Sequence, residues 1–156
     1  MVKLRIGEPW VPAPVYARSL SSLSVNLLVR NVEQALLFHT QVLQARVVYS
    51  DPDFAVLRGY GAEWMLHADH TYLGHPLRGL LEGVSQRGAG VELRLHGCDP
   101  DAAQAAAARL GFRVLAPATD RPHGLREAYI LDGDDYLWVP DEHSDLAAAR
   151  GRGSSA

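Results

Sequence analysis

The residues best equipped for chemistry lie on one short alternating stretch in the second half of the chain. Residues 91–96 alternate apolar and polar side chains, which is the pattern of a half-buried strand. Glu92, Arg94 and His96 therefore share one face of that strand. A carboxylate, a guanidinium and an imidazole on one face can bind a polar ligand. Glu92 with His96 can also support metal-free acid–base chemistry.

Four other residues bear on metal or thiol chemistry. His67, His70 and His75 are close in sequence, but their spacing does not place them on one helical face, so we interpret them as surface residues. Cys98 is the only cysteine, which excludes an intramolecular disulfide. By themselves these residues predict neither a metal centre nor a disulfide-bonded fold.

The elements that must position these residues follow the order strand, helix and three strands, and this order occurs twice. The first set predicts strands at 23–29, 45–50, 53–58 and 62–67. The second set predicts strands at 91–96, 112–116, 125–131 and 136–139. A connector at 68–89 separates the two sets and contains a short helix at 76–81.

The predicted helix N-caps, Asn31 and Asp99, align the two halves of the chain. Superposing them also places Ser24 on Glu92 and Asn26 on Arg94. An internal duplication explains this shared spacing. We therefore predict one domain at 22–141, made of two βαβββ modules at about 22–67 and 90–140.

Both ends of the chain are predicted to lie outside the domain. Pro9, Pro12 and Pro14 oppose regular structure, so residues 1–21 are predicted to form an extended arm over the domain or a partner subunit, with Trp10 as its anchor. Residues 142–156 are predicted to form a flexible tail.

Bulk properties exclude several classes of function. The 156 residues carry a formal net charge of -3, which argues against a nucleic-acid surface. No apolar run approaches the ~20 residues that span a bilayer. The first residues also lack the apolar stretch of a signal peptide. A cytoplasmic location is the expectation.

Three stretches of this pattern resemble the vicinal-oxygen-chelate superfamily of glyoxalase I, extradiol dioxygenases and bleomycin-resistance proteins. They are the strand and helix at 25–43, the segment at 92–112, and the segment at 122–136, which contains Arg126-Glu127 and Asp132-Gly133-Asp134. The resemblance is closest to the metal-free, bleomycin-resistance-like members. It implies an α+β fold in which two βαβββ modules form a cupped mixed sheet. His39, Gln44 and His123 depart from the usual family residues and suggest a distinct subgroup.

The resemblance also identifies where a metal would be held. Carried over to this chain, the ligand positions of the family fall on Ser24, Met65, Glu92 and Val139. Only Glu92 is a competent ligand, so no metal is expected. A shift of one residue in strand register gives the alternative, a divalent metal at His67, Glu92 and His96.

Without a metal, the cup implied by the resemblance is lined by mixed polar groups. Strand parity predicts that the residues facing it are Asn26, Glu63, His67, Glu92, Arg94, His96, Glu127 and Tyr129, joined by Leu137. An aqueous ligand pocket accounts for so many polar groups, because unpaired burial is costly. The alternative is a set of salt bridges across a closed sheet.

The sequence thus favours a small-molecule binding protein of the glyoxalase/bleomycin-resistance type that sequesters a drug or metabolite. Its carboxylates suit a small aromatic or cationic ligand, whereas Arg94 or Arg126 would anchor an anionic one. By analogy with the family we expect a homodimer, with the arm exchanged across it as one arrangement. The alternative function is a metal-dependent lyase, isomerase or dioxygenase with an unusual ligand set.

Overall fold

The computed structural model describes residues 2–153, with side chains described for residues 2–151, and the chain forms two compact units. The first unit contains the residues up to Leu36 together with Ala45–Val84. The second contains Leu37–Gln44 together with the described residues from Ser85 onward. Residues 37–44 thus group with the second half of the chain. The prediction had placed them in the first module, at about 22–67.

The first unit is built on a four-stranded mixed sheet. Its elements are α1 (Ala13–Ser19), β1 (Val25–Val29), the first half of α2 (Val32–Gln41), β2 (Arg46–Ser50), β3 (Phe54–Gly59), β4 (Ala62–Ala68), a 3₁₀ turn (Asp69–Tyr72) and α3 (Pro76–Leu81). The strand order is β1-β4-β3-β2. β1 runs parallel to β4, and the other neighbours are antiparallel.

The second unit repeats this topology. Its elements are β5 (Glu92–His96), α4 (Pro100–Leu110), β6 (Val114–Asp120), β7 (Leu125–Leu131), β8 (Leu137–His143) and α5 (Ser144–Gly153). The strand order is β5-β8-β7-β6, with β5 parallel to β8. The predicted α+β class and the doubled βαβββ order are therefore confirmed.

The helices of both modules begin at the predicted caps. Asn31 Oδ1 accepts a hydrogen bond from the backbone N–H of Gln34 at 2.8 Å, at the start of α2. Asp99 Oδ1 accepts the N–H groups of Asp101 and Ala102, each at 3.0 Å, at the start of α4. Gly111 ends α4 in the left-handed conformation, with φ of 80°, where a residue without Cβ is favoured.

The prediction of an extended arm was wrong in its second half, because residues 13–19 form the helix α1. Pro12 is the N-cap residue and Pro14 lies in the first turn, where a backbone N–H has no helical partner to lose. The prolines therefore mark the start of this helix instead of preventing it.

The prediction of a flexible tail at 142–156 was also wrong for residues 142–153, while residues 154–156 lie outside the described residues. β8 continues to His143 and α5 follows directly. Arg150 on α5 makes ion pairs with Glu142 and, at 3.3 Å, with Asp99. These contacts hold the helix in place although its sequence is rich in Ala, Gly and Arg.

Each sheet has one face committed to the core. In the first unit Ala55, Leu57, Trp64 and Leu66 alternate onto that face and are almost completely buried. In the second unit Phe38, near the end of α2, packs edge-on against Phe112 with ring centroids 5.0 Å apart. Another core residue there, Trp138, donates its indole N–H to Asp132 at 2.9 Å. The opposite face of each sheet carries the polar residues singled out above.

The helices formed by residues 2–153 include none with the length and hydropathy needed to cross a membrane.

Candidate functional site

The polar face of the first sheet is defined by the pairing of β1, β3 and β4. Asn26 pairs with Met65, Phe54 with His67, and Arg58 with Glu63. We call this surface, together with Tyr49 of β2, the arm-covered face. It contains the predicted site residues Asn26, Glu63 and His67.

A hydrogen-bonded chain crosses one end of the arm-covered face. Asn26 Nδ2 donates to the Tyr72 hydroxyl at 2.6 Å, so Asn26 Oδ1 is left to accept from His67 Nδ1, also at 2.6 Å. The His67 ring lies 4.6 Å from the Phe54 ring. Burial lowers the pKa of His67 to about 4, so this imidazole is neutral at pH 7. The arrangement orients His67 but leaves its Nδ1 occupied.

The arm of the chain itself lies on the rest of this face. The Tyr16 hydroxyl donates to Glu63 Oε1 at 2.9 Å, and its ring stands edge-on to Phe54 at 5.9 Å. Trp10 stacks on Tyr49 with centroids 5.5 Å apart and 18° between the ring planes. Burial would raise the pKa of Glu63, but hydrogen bonds from Arg58 and Tyr16 outweigh it and hold that pKa below its usual value. The predicted open cup is therefore occupied here.

The second sheet presents the larger set of predicted site residues. His96 pairs with Asp141 between β5 and β8, and Glu127 pairs with Asp141 between β7 and β8. This surface, which we call the charged face, comprises Glu92, Arg94, His96, Glu127, Tyr129, Leu137 and Asp141.

Two buried carboxylates organise the charged face. Glu127 and Asp141 are only 2% and 1% exposed, and Arg94 makes ion pairs with both. Burial would raise the pKa of Glu127, but hydrogen bonds from Arg94 and Tyr129 outweigh it, so the pKa lies below its usual value. Arg121 adds a second cation, bonded to Glu127 at 3.1 Å. In this part of the face the polar residues form salt bridges across the sheet, which was the alternative to an aqueous ligand pocket.

His96 and Glu92 lie at opposite ends of β5 and have different partners. His96 Nδ1 contacts Asp141 Oδ1 at 2.7 Å, while the imidazole side chain is 70% exposed. Glu92 Oε2 accepts a bond from Arg94 at 3.1 Å and is about half exposed. The structure therefore does not pair Glu92 with His96, as the acid–base hypothesis required, but pairs His96 with a buried aspartate.

A cleft of about 510 Å³ opens at the Glu92 end of the charged face. Leu115, Leu131 and Leu137 supply its apolar surface. Its charged lining residues are Glu92, Asp135 and Arg113. A volume of this size fits a small organic molecule, and the lining combines apolar residues with a few polar groups.

Four charged residues of the site on the second sheet were not predicted: Asp141, Arg121, Arg113 and Asp135. The signal for Asp141 was available, because it follows Val139 at the spacing of two that keeps side chains on one face of a strand. The predicted strand stopped at 139, before Pro140, which lacks the N–H of a ladder residue. The other three lie at or beyond strand ends, where alternation carries no information.

The residues at the metal positions implied by the resemblance do not fit a metal ion. Val139 is completely buried and has no donor atom, and Met65 is nearly buried. Of residues 2–151, no three or more His, Cys, Asp or Glu side chains are grouped so as to hold a metal. In the alternative set, His67 bonds to Asn26 and His96 to Asp141.

The doubled mixed-sheet topology and the polar faces together define the glyoxalase/bleomycin-resistance fold, and solved structures confirm it. A glyoxalase-related enzyme from Fulvimarina pelagi matches with a TM-score of 0.60 and 17% identity, over 79% of this chain and 88% of that chain. A glyoxalase/bleomycin resistance protein/dioxygenase family enzyme from Burkholderia phytofirmans PsJN matches with a TM-score of 0.61 and 17% identity, over 77% and 96%.

The fosfomycin resistance protein FosX from Mesorhizobium loti has the same fold, with a TM-score of 0.55 and 14% identity over 83% of this chain and 97% of that chain. No protein-family model matches the sequence. No curated protein matches it either. These likenesses establish the fold, while the activity must be argued from the site.

Proposed function

We propose that this protein is a metal-free binding protein of the glyoxalase/bleomycin-resistance type, which sequesters a small amphipathic cation in the cleft of its second sheet. The observation that carries the proposal is the cleft of about 510 Å³, whose lining combines three leucines with the acidic residues Glu92 and Asp135. Sequestration needs affinity for a whole small molecule and no reacting group, and such a lining supplies it.

The balance of charge supports a cation as the ligand. Arg94 and Arg121 are matched by the buried carboxylates of Glu127 and Asp141. Glu92, which also accepts a bond from Arg94, and Asp135 then line the cleft with one further cation, Arg113, which is exposed and makes no ion pair with the described residues. One carboxylate remains without a matching arginine, so the lining favours an ammonium group over a carboxylate.

Three probes with the same ring and different charge test this proposal. Isothermal titration should detect binding of phenethylamine and much weaker binding of phenethyl alcohol and phenylpropionate. Glu92→Gln should weaken phenethylamine binding by about tenfold, because it removes one charge-assisted contact. The matched control is Glu82→Gln, an exposed glutamate outside the cleft, which should leave the affinity unchanged.

Two outcomes would contradict the proposal. Equal affinity for the amine and the carboxylate would remove the argument from charge. Conversion of bound phenethylamine, detected by mass spectrometry after prolonged incubation, would show catalysis in place of sequestration.

The proposal includes the expected homodimer, so sedimentation at micromolar concentration should give twice the chain mass.

A second candidate is metal-free general-base chemistry at His96. Asp141 is buried and holds Nδ1 of an exposed imidazole, which leaves Nε2 directed away from that bond. A histidine oriented by a buried carboxylate is a general-base arrangement. The metal-dependent alternative stays a prediction, which metal analysis of chelator-free protein tests.

A further inference from the structure

The arm-covered face is a ready-made aromatic site whose occupant is part of the same chain. Tyr49 and Phe54 offer ring surfaces, and Glu63 offers a carboxylate held in place by Arg58 Nε at 2.9 Å. Tyr16 uses both kinds of contact, through its ring and its hydroxyl. The contacts of Tyr16 therefore show which chemistry this face recognises, namely an aromatic ring carrying a hydrogen-bond donor.

The segment that carries Trp10 and Tyr16 is weakly held between firmer attachments. Before it, the backbone N–H groups of Leu4 and Arg5 donate to the buried carboxylate of Asp53, at 2.7 and 3.2 Å. After it, the chain enters β1 at Val25. Between these points α1 buries no residue and has no side-chain cap, and Trp10 is 45% exposed. Short helices of this kind have little stability of their own.

Residues with left-handed backbone conformation lie on both sides of the segment. Gly7, which follows the Asp53 attachment, has a φ of 84° with open space around it. Ser22, which precedes β1, has a φ of 57°. Residues 8–22 are the segment between these two points, and Leu4 and Arg5 lie outside it, bonded to Asp53.

We propose that residues 8–22 form a flap over a second ligand site, and that this site binds phenols in the place of the Tyr16 side chain. A phenol there would donate a hydrogen bond from its hydroxyl group to Glu63 Oε1 and pack its ring against Phe54. The closed flap is an internal competitor, so the apparent affinity falls in proportion to the fraction of molecules that are open. This site is distinct from the cleft of the proposed function.

Removal of the competing ring tests the proposal in the full-length protein. We expect Tyr16→Ala to bind ethylphenol about tenfold more tightly than the unmodified protein, which corresponds to a flap closed about nine-tenths of the time. Val15→Ala, on an exposed neighbour in α1, is the matched control and should leave the affinity unchanged. Ethylanisole has the same ring without a donor proton, so Tyr16→Ala should raise the affinity for it by less than about threefold.

A second substitution locates the effect and separates it from folding. Adding Glu63→Gln to Tyr16→Ala should abolish most of the gain for ethylphenol. If Tyr16→Ala does not fold, Tyr16→Phe serves, because it removes the bond to Glu63 that helps to hold the segment closed and should raise ethylphenol affinity by a smaller factor. Equal ethylphenol affinity in the unmodified and substituted proteins, or equal gains for both probes, would overturn the proposal. Glu92→Gln, which weakens the cleft of the proposed function, should leave the ethylphenol gain unchanged, so the two sites can fail independently.

Discussion

At the scale of single residues, the charged face is organised by groups that the sequence reveals only in part. Alternation along β5 correctly placed Glu92, Arg94 and His96 on one face. It did not reveal that Glu127 and Asp141 would be buried beneath Arg94, because that burial depends on contacts between distant strands. Side-chain direction is a local property, whereas exposure and ion pairing are not.

Arg94 should therefore matter for stability as well as for the site. Arg94→Met would leave Glu127 and Asp141 buried with less compensating charge, which should lower the free energy of unfolding by about 3 kcal/mol. Urea denaturation measures this change. Arg58→Met is the matched control, since its pair with Glu63 is more exposed and should cost less than about 1 kcal/mol. Equal losses in the two variants would contradict the assigned role of Arg94.

At the scale of elements, most helices and strands could be predicted because local rules define them. Capping residues predicted the helices of both modules. Alternation of apolar and polar residues predicted every strand to within a few residues of its ends. The errors lie at α1, at α5 and at the ends of β6 and β8. The prolines of α1 oppose a helix interior but are compatible with its first turn, so the sequence alone does not predict this helix. α5 is held by ion pairs of Arg150, which sequence periodicity does not indicate.

The cap of α2 offers a direct test at this scale. Asn31→Ala removes the acceptor for the Gln34 N–H and should lower the free energy of unfolding by about 1 kcal/mol. Gln34→Ala keeps the backbone donor, so it should change stability by less than about 0.5 kcal/mol. Thermal denaturation of the two variants side by side measures the difference. A larger loss for Gln34→Ala would show that its side chain, and not the cap, stabilises this end.

At the scale of the whole molecule, two sheets of the same topology have different polar faces. The face of the first is covered by residues of the arm, including Trp10 and Tyr16. The face of the second carries a cleft beside Glu92. The duplication could be predicted from spacing, but this difference could not. Nothing in the local pattern of residues 1–21 indicates which surface they cover.

The central claim is that a small cation binds in the cleft of the second sheet. A titration of isotope-labelled protein with phenethylamine, followed by nuclear magnetic resonance, tests it most directly. We predict that the largest shifts of backbone amide signals fall on Glu92, Asp135 and Leu137, which line the cleft. Shifts confined to Glu63 and His67 on the first sheet, or no shifts at millimolar amine, would contradict the claim.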